Sequence, residues 1–422
     1  MRRLNVLYIA HRIPFPPNKG DKIRSFNEIK GLCEKHNLYL AFLVDSRGDL
    51  KYTGELEKYC AGMDFEVITP LAQKLKSLPY LLTSLPLSVP YFYSKKLQAA
   101  IDRRIKGSSI DAVVSFSSPM AEYVYRSRAL KDAGRSVRLV MDFVDVDSDK
   151  WRMYAEKSAF PASVIWRREW KSLMGYEKGI GERFDSSLFV SEKEAELFRS
   201  FCPGARIEAI TNGVDAERYE PVRRARMERT GKGIGANVLF MGAMDYFPNE
   251  DAVLYFHQGV WPAVKAALPG ASFSVVGSNP SKKLQALSRQ DPSVIVTGYV
   301  PDTRPYLEKA DVFVAPLRIA RGVQNKVLEA MAAGVPVVAR PEAVQGLSGY
   351  ENCLEVRGDE EGFASSVIEL MKRPERRREL AAAAGKFISL NHSWEKNLGR
   401  LDEILAPGKG ASVLKLISGR SI

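Results

Sequence analysis

Val312-Phe313-Val314-Ala315-Pro316-Leu317-Arg318-Ile319-Ala320-Arg321-Gly322-Val323-Gln324-Asn325-Lys326-Val327-Leu328-Glu329-Ala330-Met331-Ala332-Ala333-Gly334-Val335-Pro336-Val337-Val338-Ala339 reads as a strand, a glycine-containing loop, a short helix and a second strand. The helix runs from about Asn325 to Ala333, where Gly334 stops it. A helix that starts just past a strand's carboxyl end presents free N–H groups and the positive end of its dipole, a setting that suits a diphosphate. Lys326 and Glu329 stand three apart and share one face of that helix. An ammonium neutralises phosphate charge, and a carboxylate accepts hydrogen bonds from both hydroxyls of a ribose. A Lys and a Glu so spaced also form ordinary solvated pairs of small energetic value, so spacing alone does not assign the role.

The same rhythm extends outward in both directions. Strand-like runs at 238–241, 273–276, 294–296, 312–315 and 335–339 alternate with helical stretches such as 251–268. Upstream, 4–10, 38–44, 65–68, 112–115 and 137–141 repeat the pattern. Strands alternating with helices specify parallel sheets covered on both faces. The expected fold is therefore α/β, with two Rossmann-like doubly wound domains facing each other across a cleft. The boundary falls at Thr211-Asn212-Gly213-Val214-Asp215, where a strand at 207–210 meets a turn-forming Asn-Gly and then a basic, loop-like stretch through Gly235. This gives a first domain over 1–212 and a second over 213–390. Residues 391–422 form a C-terminal helix that packs back on the first domain, followed by a mobile tail.

Composition agrees with two cores. The chain has 422 residues, 45% hydrophobic and 27% charged, which is too long for one ordinary core and too apolar for bulk disorder. No run reaches the roughly 18–20 apolar residues of a membrane span, and Met1-Arg2-Arg3 leads straight into a strand, so a cytoplasmic protein is expected. The four cysteines, Cys33, Cys60, Cys202 and Cys353, have no metal-ligand spacing, and no metal or other cofactor is expected. A net charge of +12 attracts polyanions: anionic lipid, nucleotide diphosphate or nucleic acid. Charge does not choose among them, but the chain has no basic-aromatic nucleic-acid motif, and nucleic acid is not expected.

One segment departs from the alternation. Residues 71–96 mix leucines, prolines and Tyr91-Phe92-Tyr93 with Lys74, Lys76, Lys95 and Lys96. This composition suits the interface of an anionic bilayer at the inner face of the plasma membrane, and equally an irregular excursion packed on the first domain.

On these residues the chain resembles the retaining glycosyltransferases of family 4, which have the GT-B fold. In that family a Glu-x7-Glu motif opens this helix, in a setting like Lys326-Val327-Leu328-Glu329-Ala330-Met331-Ala332-Ala333-Gly334-Val335-Pro336. The resemblance implies that Glu329 binds ribose. The first motif glutamate falls at Arg321, which cannot accept hydrogen bonds and is expected to face phosphate. Asn237-Val238-Leu239-Phe240-Met241-Gly242 and the residues to Asn249 match the family's diphosphate-gripping strand and turn. Met244 and Asn249 stand where the family has an Arg and a Lys, so Arg318, Arg321 and Lys326 are the expected replacements. The Gly298-Tyr299 region implies contact with the nucleotide base. Asn18-Lys19-Gly20-Asp21, Asp142 to Asp147 and Gln324-Asn325-Lys326 are similar to one branch, the sugar transferases associated with PEP-CTERM/exosortase exopolysaccharide systems.

In the first half, family members place the loop ending at Gly20 against the donor phosphates and the acceptor. Lys19, Lys22 and Arg24 are then candidates for an acceptor phosphate, or form a solvated basic turn. Asp145 and Asp147 follow the strand at 137–141; one of them orients an acceptor hydroxyl as a base, or one caps the helix starting near Lys150. Asp145-Val146-Asp147 imitates a metal motif, but the alternating βα pattern speaks for the metal-free fold. The expected function is hexosyl transfer from a nucleoside-diphosphate sugar to a lipid-linked or saccharide acceptor. The alternatives are a nucleotide-sugar epimerase of the same fold and a non-catalytic polyanion-binding protein.

Overall fold

Val6, Tyr8 and Ala10 point to one side of β1 (Asn5–Ala10), Leu7 and Ile9 point to the other, and all five are buried. The two sets join separate hydrophobic clusters, one on each face of the sheet. A strand covered on both faces needs apolar residues at every position, which explains the uninterrupted run in the sequence. The computed structural model describes residues 2–132, 136–228 and 236–406. The chain divides into one unit that takes in residues up to Ile210 together with the chain from Leu398, and a second over Thr211–Asn397.

The first unit is built on a seven-stranded sheet. Its strands are β1, β2 (Asn37–Val44), β3 (Gly62–Val67), β4 (Ala112–Phe116), β5 (Arg138–Val144), β6 (Ser186–Phe189) and β7 (Ile207–Ala209). They pair in parallel in the order β3-β2-β1-β4-β5-β6-β7. The winding reverses between β1 and β4, and the loops after these strands therefore diverge around a crevice at their carboxyl ends.

The second unit repeats the plan with β8 (Asn237–Met241), β9 (Ser272–Val276), β10 (Val294–Val296), β11 (Val312–Ala315), β12 (Val337–Ala339) and β13 (Glu355–Val356). The parallel order is β10-β9-β8-β11-β12-β13, with the reversal between β8 and β11. Gly242 follows β8 and the loop to Gln324 follows β11, so the two best sequence matches meet at this switch point.

Several elements differ from the sequence expectation. β6 opens with Ser186 and Ser187, buried but polar, which leaves only Leu188 and Phe189 as its apolar part. The basic stretch after Asp215 is not a loop: Ala216–Glu228 is a helix with Pro221 inside it, and only Tyr219 and Val222 are buried. The stretch 251–268 is two α-helices, Phe247–Tyr255 and Trp261–Ala267, joined by a π turn over Phe256–Val260. The C-terminal helix spans Trp394–Leu405, and Leu401, Ile404 and Leu405 join the cluster that covers one face of the first sheet. Residues 229–235 and the tail from 407 lie outside the described residues.

Candidate functional site

The turn after β8 is assembled from glycines because backbones meet there. A Cβ at Gly277 would sit 1.6 Å from the carbonyl oxygen of Gly242, so only glycine lets the β8 and β9 ends close on each other. A Cβ at Gly242 would in turn stand 3.0 Å from the Lys326 amino nitrogen and 2.7 Å from the Asn249 amide nitrogen. The Lys326 ammonium donates to Asn249 Oδ1 at 2.5 Å and lies 4.8 Å from the centre of the Phe240 ring. Asn249 Nδ2 donates back to the carbonyl of Ala243 at 2.9 Å. Asn249 therefore bridges the lysine to the glycine turn, a role that its place in the sequence did not reveal. Met244, at the other position where the family carries a cation, is fully buried and packs in the core.

Lys326 lies in the first turn of the helix Asn325–Ala332, whose opening N–H groups have no side-chain cap. Burial pushes its ammonium down to about 7 from the ordinary lysine value, and the nearby Glu329 charge only partly offsets this. Burial likewise lifts Glu329 to about 7, against the opposing charges of Arg218 and Lys326 and a hydrogen bond from Tyr219. Both groups are thus held in a dehydrated setting where a ligand bearing phosphate and hydroxyl groups would change their ionisation. Tyr219 and Arg218 come from the helix after the boundary Asn-Gly, and sequence reading missed them because it took that stretch for a loop.

The loop before Lys326 is fixed from behind. Gln324 Nε2 donates to the Arg321 carbonyl at 2.8 Å, Gln345 donates to the Ala320 carbonyl, and a Cβ at Gly346 would stand 2.2 Å from the Gly322 oxygen. Arg321 is half-buried on this loop. Asn325 accepts from Asn212 Nδ2 at 3.0 Å, and the Asn212 carbonyl accepts from His392 Nδ1 at 2.9 Å. The boundary segment is thereby tied to the helix start. Arg318 is placed differently from the expectation: its guanidinium grips Asp251, with Nε to Oδ2 at 3.0 Å, and lies over Tyr255. Asp251 is two residues beyond Asn249 on one helix, roughly 200° around the axis, so Arg318 and Lys326 engage different sides of it. Gly298 holds a positive φ of 74° with open space around it, and Tyr299 beside it is exposed.

In the first unit two of the acceptor candidates require correction. Arg24 is 0% exposed and cannot reach an acceptor. Its Nε bonds Asp142 Oδ2 at 2.7 Å, its Nη1 donates to the Ile210 carbonyl at 2.7 Å, and Glu28 stands 3.1 Å away and accepts from Tyr8. Burial and the Asp142 charge hold the Glu28 carboxyl well above its usual range, and the arginine ties the two acids together. Lys22 is also buried and bonds Asp49 at 3.0 Å. The two side chains leave the helix Gly20–Lys35 at opposite margins of its buried stripe, Arg24 turning to Asp142 on the sheet and Lys22 to Asp49. Lys19 and Gly20 at the start of the helix remain exposed.

Asp147 opens the helix Asp147–Lys157 and pairs with Lys150 at 2.7 Å, while Asp145 is half-buried just after Val144, which holds a positive φ of 67°. A His–Asp pair not anticipated from the sequence lies at the end of β1: His11 Nε2 is 3.3 Å from Asp21 and its ring stacks on Phe116. Burial opposes the Asp21 charge, but the His11 hydrogen bond and the His11 and Arg12 charges prevail and hold its carboxyl well below the usual range. Among the described residues no group of three or more His, Cys, Asp or Glu side chains is placed to hold a metal ion.

Comparison with known proteins bears on the fold. Residues 235–373 match the family model described as glycosyl transferases group 1. A GDP-mannose-dependent alpha-(1-6)-phosphatidylinositol monomannoside mannosyltransferase of Mycolicibacterium smegmatis is 29% identical over 250 residues, 54% of this chain and 63% of the relative. The match thus spans under two thirds of that relative's length. Among solved structures, sucrose-phosphate synthase from Thermosynechococcus elongatus superposes with a TM-score of 0.71 at 16% identity, over 95% of this chain and 98% of that one. HepE of Anabaena, solved with UDP-glucose, superposes with a TM-score of 0.67 at 14% identity, over 96% of this chain and 100% of that one. The fold is that of the GT-B glycosyltransferases, two parallel-sheet α/β domains.

Proposed function

We propose that the protein is a retaining glycosyltransferase that moves a hexose from a nucleoside-diphosphate sugar to a lipid-linked or saccharide acceptor. The observation that carries this reading is the Lys326 ammonium held by Asn249 against the Gly242 turn, with Glu329 three residues further on the same helix. Lys326 and the open helix end stabilise the charge that gathers on the departing diphosphate, and Glu329 accepts from the ribose hydroxyls. Arg321 faces the phosphates from the preceding loop. With these cations in place the transfer proceeds without a metal. Retention and a role in exopolysaccharide assembly rest on the resemblance to family 4 and to its exosortase-associated branch. The names of the matched relatives favour transfer over epimerisation and make GDP-mannose the first donor to test.

The test is a thermal-shift and calorimetric screen of nucleotide sugars, followed by single-turnover transfer. Lys326→Ala is expected to slow transfer by roughly 100- to 1,000-fold, the usual effect of removing one donor to a developing anion. Glu329→Ala is expected to weaken donor binding more than it slows the bound complex. Parental transfer rates in both Lys326→Ala and Arg321→Ala would remove the leaving-group assignment. Conversion of the donor with no acceptor present would replace the transferase with an epimerase.

A further inference from the structure

The first unit contains a cavity that shares no residue with the donor site assigned above. A cavity of about 480 Å³ opens beside the end of β3, and Thr69, Lys76, Tyr80, Tyr93, Lys95 and Arg126 contribute to its lining. The Lys76 ammonium donates to the Tyr93 carbonyl at 2.5 Å, and the Arg126 guanidinium lies 4.5 Å from the centre of the Tyr93 ring. Two carboxylates also line the cavity, and both are engaged: Glu122 bonds Arg126 at 2.5 Å and accepts from Tyr176, and Glu66 faces Lys96 at 3.5 Å. Lys76 and Lys95 face the cavity, and among the described residues no carboxylate is bonded to either. Burial, followed by the charges of Arg126 and Lys95, holds the Lys76 ammonium below its ordinary value.

Beside this cavity runs a row of exposed leucines. Leu71 and Leu75 lie on the helix Pro70–Ser77 that carries Lys76, and Leu78 and Leu82 on the turn that follows; they are 68%, 59%, 54% and 95% exposed. The spacing of Leu71, Leu75 and Leu78 places them on one side of the helix. Their exposure does not come from a loose backbone. Arg168 donates to the carbonyls of Tyr80 at 2.6 Å and Leu85 at 2.7 Å, and Glu169 accepts from the Leu87 N–H at 2.9 Å. Arg168 lies on the helix Ala162–Arg183; one turn before it Val164 is exposed, as is Phe160 just ahead of the helix. A clamped apolar row beside a cationic cavity is complementary to a surface that is hydrocarbon behind and phosphate in front.

We propose that this cavity binds the phosphate of an anionic phospholipid while the leucine row enters the edge of the same leaflet, making residues 71–96 the membrane-docking face of the first unit. A soluble phosphate ester would satisfy the cations but leave the leucines in water, and therefore the bilayer is the occupant the surface fits. The inference is independent of the donor site and stands or falls apart from it.

The test is flotation of the full chain with phosphatidylcholine vesicles, with and without about a third phosphatidylglycerol. The parent is expected to float with the anionic vesicles only, and less as salt rises. Lys76→Gln and Lys95→Gln should each weaken binding roughly fivefold, the share of one lysine near such a surface. Leu75→Ser with Leu82→Ser, both at exposed positions, should abolish flotation while inorganic phosphate still protects the cavity in hydrogen exchange. Equal flotation with neutral vesicles, or parental flotation of the leucine variant, would overturn the proposal. So would protection of the cavity by inorganic phosphate or a phosphopeptide if the parent protein floats with neither vesicle. The thermal shift with nucleotide sugar should be unchanged in every variant.

Discussion

Lys326 is poised to change its charge when a ligand arrives. Dehydration holds its ammonium near 7, and a diphosphate beside it would restore the ordinary preference for the proton. Above about pH 7 the free protein carries part of this side chain neutral, so donor binding must take up a proton and affinity must fall as pH rises. Glu329, raised to about 7, acts in the opposite sense, because a carboxylate that accepts from a ribose prefers to be ionised and releases a proton on binding. The two exchanges cancel near pH 7 in the parent, and above it the lysine's uptake prevails. In Glu329→Gln only the lysine remains, and calorimetry in buffers of different ionisation enthalpy should show net uptake that grows from pH 7 to 8.5; zero uptake would mean that Lys326 does not meet the phosphates. A second buried acid has a structural consequence. Glu177 is raised to about 8 by burial, with bonds from Ser148 and Ser118 that only partly offset it. The unfolded chain releases this proton near the ordinary glutamate value while the folded chain keeps it, so stability is lost as pH rises from there to about 8. Glu177→Gln is expected to gain on the parent across that window, by roughly 3 kcal/mol at pH 7, and urea unfolding at pH 5 and pH 7.5 checks it. The lysine and the glutamate were legible in the sequence because a three-residue helical spacing is local. Asn249 and Tyr219, which hold them, were not, because their nearness depends on how β8 and β11 pair and on a helix that a proline disguised.

At the scale of elements, interior strands such as β1, β4, β8 and β11 were legible because burial on both faces demands unbroken apolar runs, and the partly exposed edge strands β3, β7 and β10 because each keeps a short apolar stretch. β6 escaped because Ser186 and Ser187 are buried with hydroxyls, and β13 because two residues at a sheet edge carry no period. Basic residues misled for a related reason. A lysine or arginine near a glycine loop reads as a phosphate ligand, yet the helix Gly20–Lys35 turns Arg24 into the sheet, where it joins β5 through Asp142 to the chain just after β7 through Ile210. The structural role predicts a distinct outcome from an acceptor role. Arg24→Ala leaves Asp142 and Glu28 facing each other in a dry interior, and should lower stability by about 3–5 kcal/mol, the cost of breaking a buried charge cluster on one side. An acceptor ligand at the surface would instead change transfer and leave the melting temperature where it was.

The whole molecule repeats one architecture, and each sheet reverses its winding beside its first strand: at β1 and β4 in the first unit, at β8 and β11 in the second. The chain then makes one return. Trp394–Leu405 begins among the residues of the second unit, where Trp394 packs on Gly213 so closely that a Cβ there would stand 2.5 Å from the Trp394 nitrogen. Its later turns belong to the first unit: Leu401, Ile404 and Leu405 cover the sheet, and Asp402 bonds Lys35 at 3.1 Å and His36 at 2.7 Å. The last described helix is therefore part of the core formed by the first strands, despite its distance in sequence. Leu405→Ala is expected to cost about 2–5 kcal/mol, as for other large-to-small changes at fully buried sites. The loss should be confined to one unit, because cores that do not share side chains open separately. Hydrogen exchange should show the amides of β1 and β2 losing protection while those of β8 and β11 keep theirs. Equal loss in both sheets would mean that the units unfold as one, and that the returning helix does more than close the first core.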